Sequence, residues 1–118
     1  MKMLWKKEGL IFKPKGDLEW SRSHAQVPTV LHLPEKHLLR VYFATRDESN
    51  RSCIASMDLD EKLPSRILSI NQEPVLRIGH PGTFDDSGAM PSWAVIRDNQ
   101  VYLYYIGWNV RNEFPFRP

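Results

Sequence analysis

Ala25-Gln26-Val27-Pro28-Thr29 returns near the other end of the chain as Gly88-Ala89-Met90-Pro91-Ser92. Pro28 and Pro91 stand 63 positions apart (91 − 28), and the same shift carries Thr29 to Ser92 and Tyr42 to Tyr105. Each copy runs small, any, apolar, proline, hydroxyl, and then leads into an apolar strand, a polar turn and an aromatic strand. A fixed offset with several strands per unit marks a propeller or another repeat array. Propeller blades hold four strands each, and roughly four to eight blades make a ring. The 118 residues hold one such period and part of a second.

The rest of the chain agrees with strands. Nine Pro and six Gly interrupt it, and no long window carries a 3.6-residue apolar period. Val27 to Leu33, Leu38 to Thr45, Cys53 to Leu59, Trp93 to Ile96 and Val101 to Ile106 read as strands. Cys53 to Leu59 alternates Cys, Ala, Met and Leu against Ile, Ser and Asp, and its inward face stays open. Arg97-Asp98-Asn99-Gln100 reads as a hairpin turn. These readings predict an all-β fold of antiparallel strands, a single partial propeller domain over residues 1–118. The first blade spans about 20–78 and the start of the second about 82–112. One blade cannot cover both of its own sheet faces, and the chain stops at Phe114-Pro115-Phe116-Arg117-Pro118 just after its last predicted strand. The expectation is therefore a truncated protein, or one that self-associates through exposed strand edges. A small β-sandwich or barrel, with the echo a coincidence, is the competing reading.

Composition narrows the function. Apolar residues make up 42% and charged residues 25%, with a net charge of +2. The basic residues are scattered, which speaks against a nucleic-acid surface. Leu10-Ile11-Phe12 stops at Lys13-Pro14, short of a signal-peptide core, and nothing approaches a membrane-spanning apolar run. A single cysteine, Cys53, fits a reducing compartment and a small buried hydrophobe. A cytoplasmic protein with no membrane and no nucleic-acid partner is expected. His24, His32, His37 and His80 show no metal-ligand spacing, and phosphate-loop, dinucleotide and nucleophile-elbow motifs are missing. No metal and no cofactor are expected.

Three loops and the aromatics hold the candidate chemistry. His24 and Gln26 precede the first strand and suit hydroxyl groups of a sugar, or else form a solvated strand start. Arg46 and Asp47, in the charged stretch Thr45 to Ser52, hold each other and present a carboxylate, or else form a hairpin tip. Asp85 and Asp86 lie between Gly82 and Gly88; glycoside cleavage needs two carboxyl groups across one bond. Adjacent residues seldom face one point, so one of these two aspartates would need a partner from elsewhere, and an Asx-turn role is the alternative. Trp108, at a strand end beside Asn109, is the aromatic best placed as a sugar platform.

Trp20…His24 to Val30, Val41-Tyr42-Phe43-Ala44-Thr45-Arg46-Asp47…Asn50-Arg51-Ser52, and Gly82 to Ser92 followed by Tyr104-Tyr105-Ile106-Gly107-Trp108 together resemble the N-terminal part of five-bladed β-propeller glycosidase-like proteins. These are relatives of the arabinanase/xylosidase and invertase/levansucrase propellers, in a bacterial branch found near polysaccharide-synthesis genes. The resemblance covers about residues 5–112. It implies an incomplete five-bladed propeller, since five blades of roughly 60 residues need about 300. It further implies catalytic roles for Asp47 and Asp85, with Arg46 beside Asp47; the reading of the loops and aromatics adds His24, Gln26, Asp86 and Trp108 to Arg46 as substrate-binding groups. Two departures stand out. Gln26 occupies the place of an Asp in the active enzymes, and the acid of a later blade would lie beyond Pro118. The expected function is that of a glycosidase-like fragment acting on or binding a saccharide and inactive by itself. The alternative is a non-catalytic carbohydrate-binding or self-assembling module.

Overall fold

The structure, a computed structural model, describes residues 2–110. It contains β1 (Ser23–Leu33), a single 3-10 turn (Pro34–Lys36), β2 (Leu38–Arg46), β3 (Ser52–Asp60), β4 (Ile67–Ile70), β5 (Gly88–Arg97) and β6 (Gln100–Trp108). The all-β expectation holds. The expected incomplete propeller, a finished blade and the start of a second, is not the arrangement found. All six strands belong to one mixed, unclosed sheet, ordered β1-β2-β3-β5-β6 with β4 attached to β3. The echo reports a strand–turn–strand unit, and the structure builds it twice, as the hairpins β1–β2 and β5–β6. How two hairpins are joined is not written in their local pattern. Here the join is one parallel pair, Ser52 of β3 beside Gly88 of β5.

Local chemistry explains the turns. Asp98 and Asn99 sit at φ 52° and 61°. Two left-handed residues make the tight hairpin turn whose twist suits the flanking strands, and Asp and Asn tolerate that region better than most. Between β1 and β2 the chain turns through Pro34–Lys36 and closes with His37 at φ 57°, its N–H donating to Pro34 O at 3.1 Å. The short strand β4 and this 3-10 turn have no counterpart in the strand pattern of the sequence.

Both faces of β2 and β3 are buried. Tyr42 and Ile54 face one side with Leu31 of β1 and Ala89 and Ala94 of β5. Val41, Phe43, Ala55, Met57 and Leu59 face the other, covered by Phe12 and Trp20 of the N-terminal segment and by Ile67 and Ile70 of β4. The two sets of Cys53 to Leu59 divide between these faces: Ala55, Met57 and Leu59 fill one core and Ile54 the other, while Ser56 and Asp58 are hydrogen-bonded to Asn71 and Arg40. Ile54 is fully buried, and burial of such a side chain contributes about 1.5–3 kcal/mol. Two intervening strands at roughly 4.8 Å spacing would hold β1 about 14 Å from β5 in a flat sheet. Thr29 Oγ1 nevertheless donates to Ser92 O at 3.3 Å. The sheet therefore folds over at the Ser52–Gly88 join, and the β5–β6 hairpin lies across the Tyr42–Ile54 face. The opposite side of that hairpin, with Trp93, Tyr104 and Ile106, stays exposed. Among the described residues, no helix is long and apolar enough to cross a membrane.

Candidate functional site

The folded-over sheet lines up one transverse row of paired residues. Ser23 pairs with Arg46, Arg46 with Ser52, Ser52 with Gly88, and Gly88 with Trp108. Directly opposed residues project to the same side of a sheet, so Arg46, Ser52 and Trp108 meet at one sheet end. Gly88 makes this possible: any Cβ there would run into Trp108 Nε1 and Ser52 Oγ. The indole N–H donates to Ser52 Oγ at 3.1 Å, and that hydroxyl donates to Ala89 O at 3.0 Å. Ser52 is fully buried, so the ring is anchored from below. The Arg46 guanidinium lies 5.7 Å from the Trp108 ring centroid, within cation–π reach.

Gln26 joins from β1. Register shifts on either side of it, with His24 at φ 68° and Val27 at φ 44°, bulge the strand around this residue. Bulges re-aim side chains and gather beside functional sites, and a β-branched residue at positive φ is strained. Gln26 Oε1 accepts from Arg46 Nε at 3.2 Å, and Asn50 O accepts from Arg46 Nη1 at 3.4 Å. A cleft of about 470 Å³ opens over Arg46, with Arg51, Ser87 and Trp108 among its walls.

Of the two carboxylates expected to be catalytic, Asp47 is held by its own turn and Asp85 by its loop together with β6. Asp47 does not pair with Arg46; it sits in the hairpin-tip turn, the other reading of this stretch. Its Oδ1 accepts from the Ser49 and Arg51 N–H groups at 2.8 and 3.0 Å, and its Oδ2 from Arg51 Nε at 3.1 Å. The preceding strand aims Arg46 across the sheet, while the turn takes Asp47 for its own donors. Asp85 is buried. Its Oδ2 accepts from the Tyr105 hydroxyl at 3.1 Å and its Oδ1 from Thr83 Oγ1 at 3.0 Å. Burial, with this hydrogen bond to Asp85, pushes the Tyr105 phenol upward. Asp86 accepts from Gly82 N at 2.8 Å and Ser87 Oγ at 3.3 Å. Asp86 thus plays the turn-forming part, while Asp85 ties its loop to β6. His24 is exposed, its Nδ1 2.7 Å from Ser23 Oγ, and does not line the cleft. Gln26, Arg46 and Trp108 are brought together; His24, Asp85 and Asp86 are not brought into the cleft. Sequence reasoning missed Arg51, Ser52, Ser87 and the packing role of Gly88. Their signal was present only as polar residues flanking strand ends. Among the described residues, no group of three or more His, Cys, Asp or Glu side chains is placed to hold a metal ion.

No described protein family matches the chain, and no solved structure does so. Two proteins of Mycobacterium tuberculosis are similar to it: Uncharacterized protein Rv1502 of strain H37Rv and Uncharacterized protein MT1551 of the Oshkosh strain. Each is 44% identical over 115 residues, which is 98% of this chain and 38% of the relative. The chain thus spans about two fifths of the length of the curated relatives it matches.

Proposed function

We propose that this chain binds a saccharide without cleaving it, in the cleft between Arg46 and Trp108. The observation that carries the reading is the anchored indole beneath a fixed guanidinium, at the edge of a cleft of about 470 Å³. Small-ligand sites combine a few oriented polar groups with an apolar wall in clefts of roughly 300–1,000 Å³. Gln26 and Asn50 orient the guanidinium, and Trp108 supplies the wall. Hydrolysis is the weaker reading for this chain, because it needs two carboxyl groups free to face one bond. Asp47 spends both oxygens on its own turn, and Asp85 spends one on Thr83 of its loop and the other on Tyr105 of β6.

The test is two-part. Titration of the chain with a panel of mono- and disaccharides, read by the Trp108 indole N–H resonance, is expected to give saturable shifts for at least one sugar. Incubation with aryl glycosides is expected to release no product above the buffer rate. A panel that leaves the indole signal unmoved sinks the binding reading, and enzymatic turnover sinks the claim of non-catalysis.

A further inference from the structure

The charge balance of the cleft selects among saccharides. Arg46 is half-buried and restrained by two neutral oxygens, the Gln26 amide and the Asn50 carbonyl. Neutral acceptors orient a guanidinium and leave its charge intact. Among the described residues, none of the ion pairs includes Arg46. The adjacent carboxylate, Asp47, is turned onto Arg51 Nε and two backbone N–H groups. Arg51 shares the cleft wall, and its charge is matched by that same Asp47. Asp86 reaches toward the cleft only through Ser87 Oγ, and its other oxygen is taken by Gly82 N. One positive charge is therefore left over.

A guanidinium has five N–H groups in a planar fork. Two are used here, so three remain. Fork geometry matches a carboxylate or phosphate through paired hydrogen bonds, and such charge-assisted bonds are about twice as strong as neutral ones. A neutral sugar hydroxyl would engage the fork less well and leave its charge uncompensated. Trp108 beside the fork offers apolar surface to the C–H side of a sugar ring.

We propose, resting on the saccharide reading above, that the cleft takes an anionic saccharide, its carboxylate or phosphate on the Arg46 fork and its ring against Trp108. Uronic acids and sugar phosphates share this chemistry. The site prefers anionic over neutral sugars by charge and not by size.

The experiment titrates the 118-residue chain with glucuronate, glucose 6-phosphate, glucose and inorganic phosphate. Binding is read at the Arg46 Nε–H and Trp108 Nε1–H resonances. At least one anionic sugar is expected to bind about tenfold or more tightly than glucose, as a charged hydrogen-bond pair implies. Arg46→Gln is expected to erase that preference while the indole resonance stays in place, since Ser52 holds the ring. Arg46→Lys keeps the charge without the fork and is expected to fall between. Equal affinity for glucose and its two anionic counterparts in the unmodified chain overturns the charge inference and leaves saccharide binding standing. Inorganic phosphate binding as tightly as glucose 6-phosphate, with no response to glucuronate or glucose, overturns both, because the site would then recognise an anion and no sugar. No shift with any probe also overturns both. The comparison among probes in the unmodified chain stands even if a variant does not fold.

Discussion

Ser52 shows how much one small side chain decides. Its hydroxyl is fully buried, takes the Trp108 indole N–H and gives its own proton to Ala89 O. Removing it strands the indole donor, which is half-buried, and the Ala89 acceptor, which is buried. Ser52→Ala is expected to lower stability by about 1–3 kcal/mol and to loosen the Trp108 ring. Urea unfolding with tryptophan fluorescence checks both parts; an unchanged midpoint contradicts the anchoring role. The neighbouring Cys53 is buried, and desolvation pushes its thiol up, an effect partly offset by a backbone hydrogen bond from Ile78. A raised acid favours its neutral form in the folded state. That stability is complete below the ordinary thiol value of 9.0 and is lost as pH climbs through the folded value. Alkylation of Cys53 by iodoacetamide at neutral pH is expected to be slow in the native protein and fast in urea. Equal rates in the two conditions would falsify the assigned burial.

Between elements, Glu61 acts as a clamp. It follows β3 and receives His32 Nε2 from β1 at 2.7 Å and His37 Nδ1 from the turn before β2 at 3.1 Å. These two imidazole hydrogen bonds hold its carboxyl below the ordinary value of 4.5. Asp60 is lowered as well, first by the Lys62 N–H. A depressed carboxylate contributes stability that is present above the unfolded value and lost as pH falls through the folded one. The fold should therefore weaken on acidification below about pH 4.5, and Glu61→Gln should flatten part of that slope. Thermal melts across pH 2–7 on both proteins read the difference. Parallel curves for the two would remove the clamp from the account. The same scale explains why β4 escaped the sequence reading. Ile67-Leu68-Ser69-Ile70 is four residues long and pairs only with the end of β3, so its pattern is too short to stand out.

For the molecule as a whole, the exposed side of the β5–β6 hairpin is the feature without a counterpart in an ordinary isolated domain. Trp93, Tyr104 and Ile106 are 63%, 60% and 55% exposed, and Trp93 pairs with Tyr104 across the hairpin. Contiguous apolar surface of this kind promotes association. Sedimentation velocity is expected to show concentration-dependent association that Trp93→Lys reduces; a strict monomer at high concentration tells against it. The hairpins were legible from sequence because alternation, β-branched content and the Asp98-Asn99 turn are local properties. Gln26, Arg46 and Trp108 were legible as candidates because polar and aromatic residues at strand ends are local signals too. Their meeting was not legible, nor was the hold of Tyr105 on Asp85, since each depends on groups that only folding brings near; the turn role of Asp47 is local and stood among the readings of its charged stretch. The amino-acid order alone determined that this chain makes strands, where two of its hairpins turn, and that it repeats one strand–turn–strand unit. Only the tertiary structure decided that those units join through Ser52 and Gly88 into a single sheet. Periodicity specifies which side of a strand is apolar, and it is packing between distant segments that chooses the partner for that side.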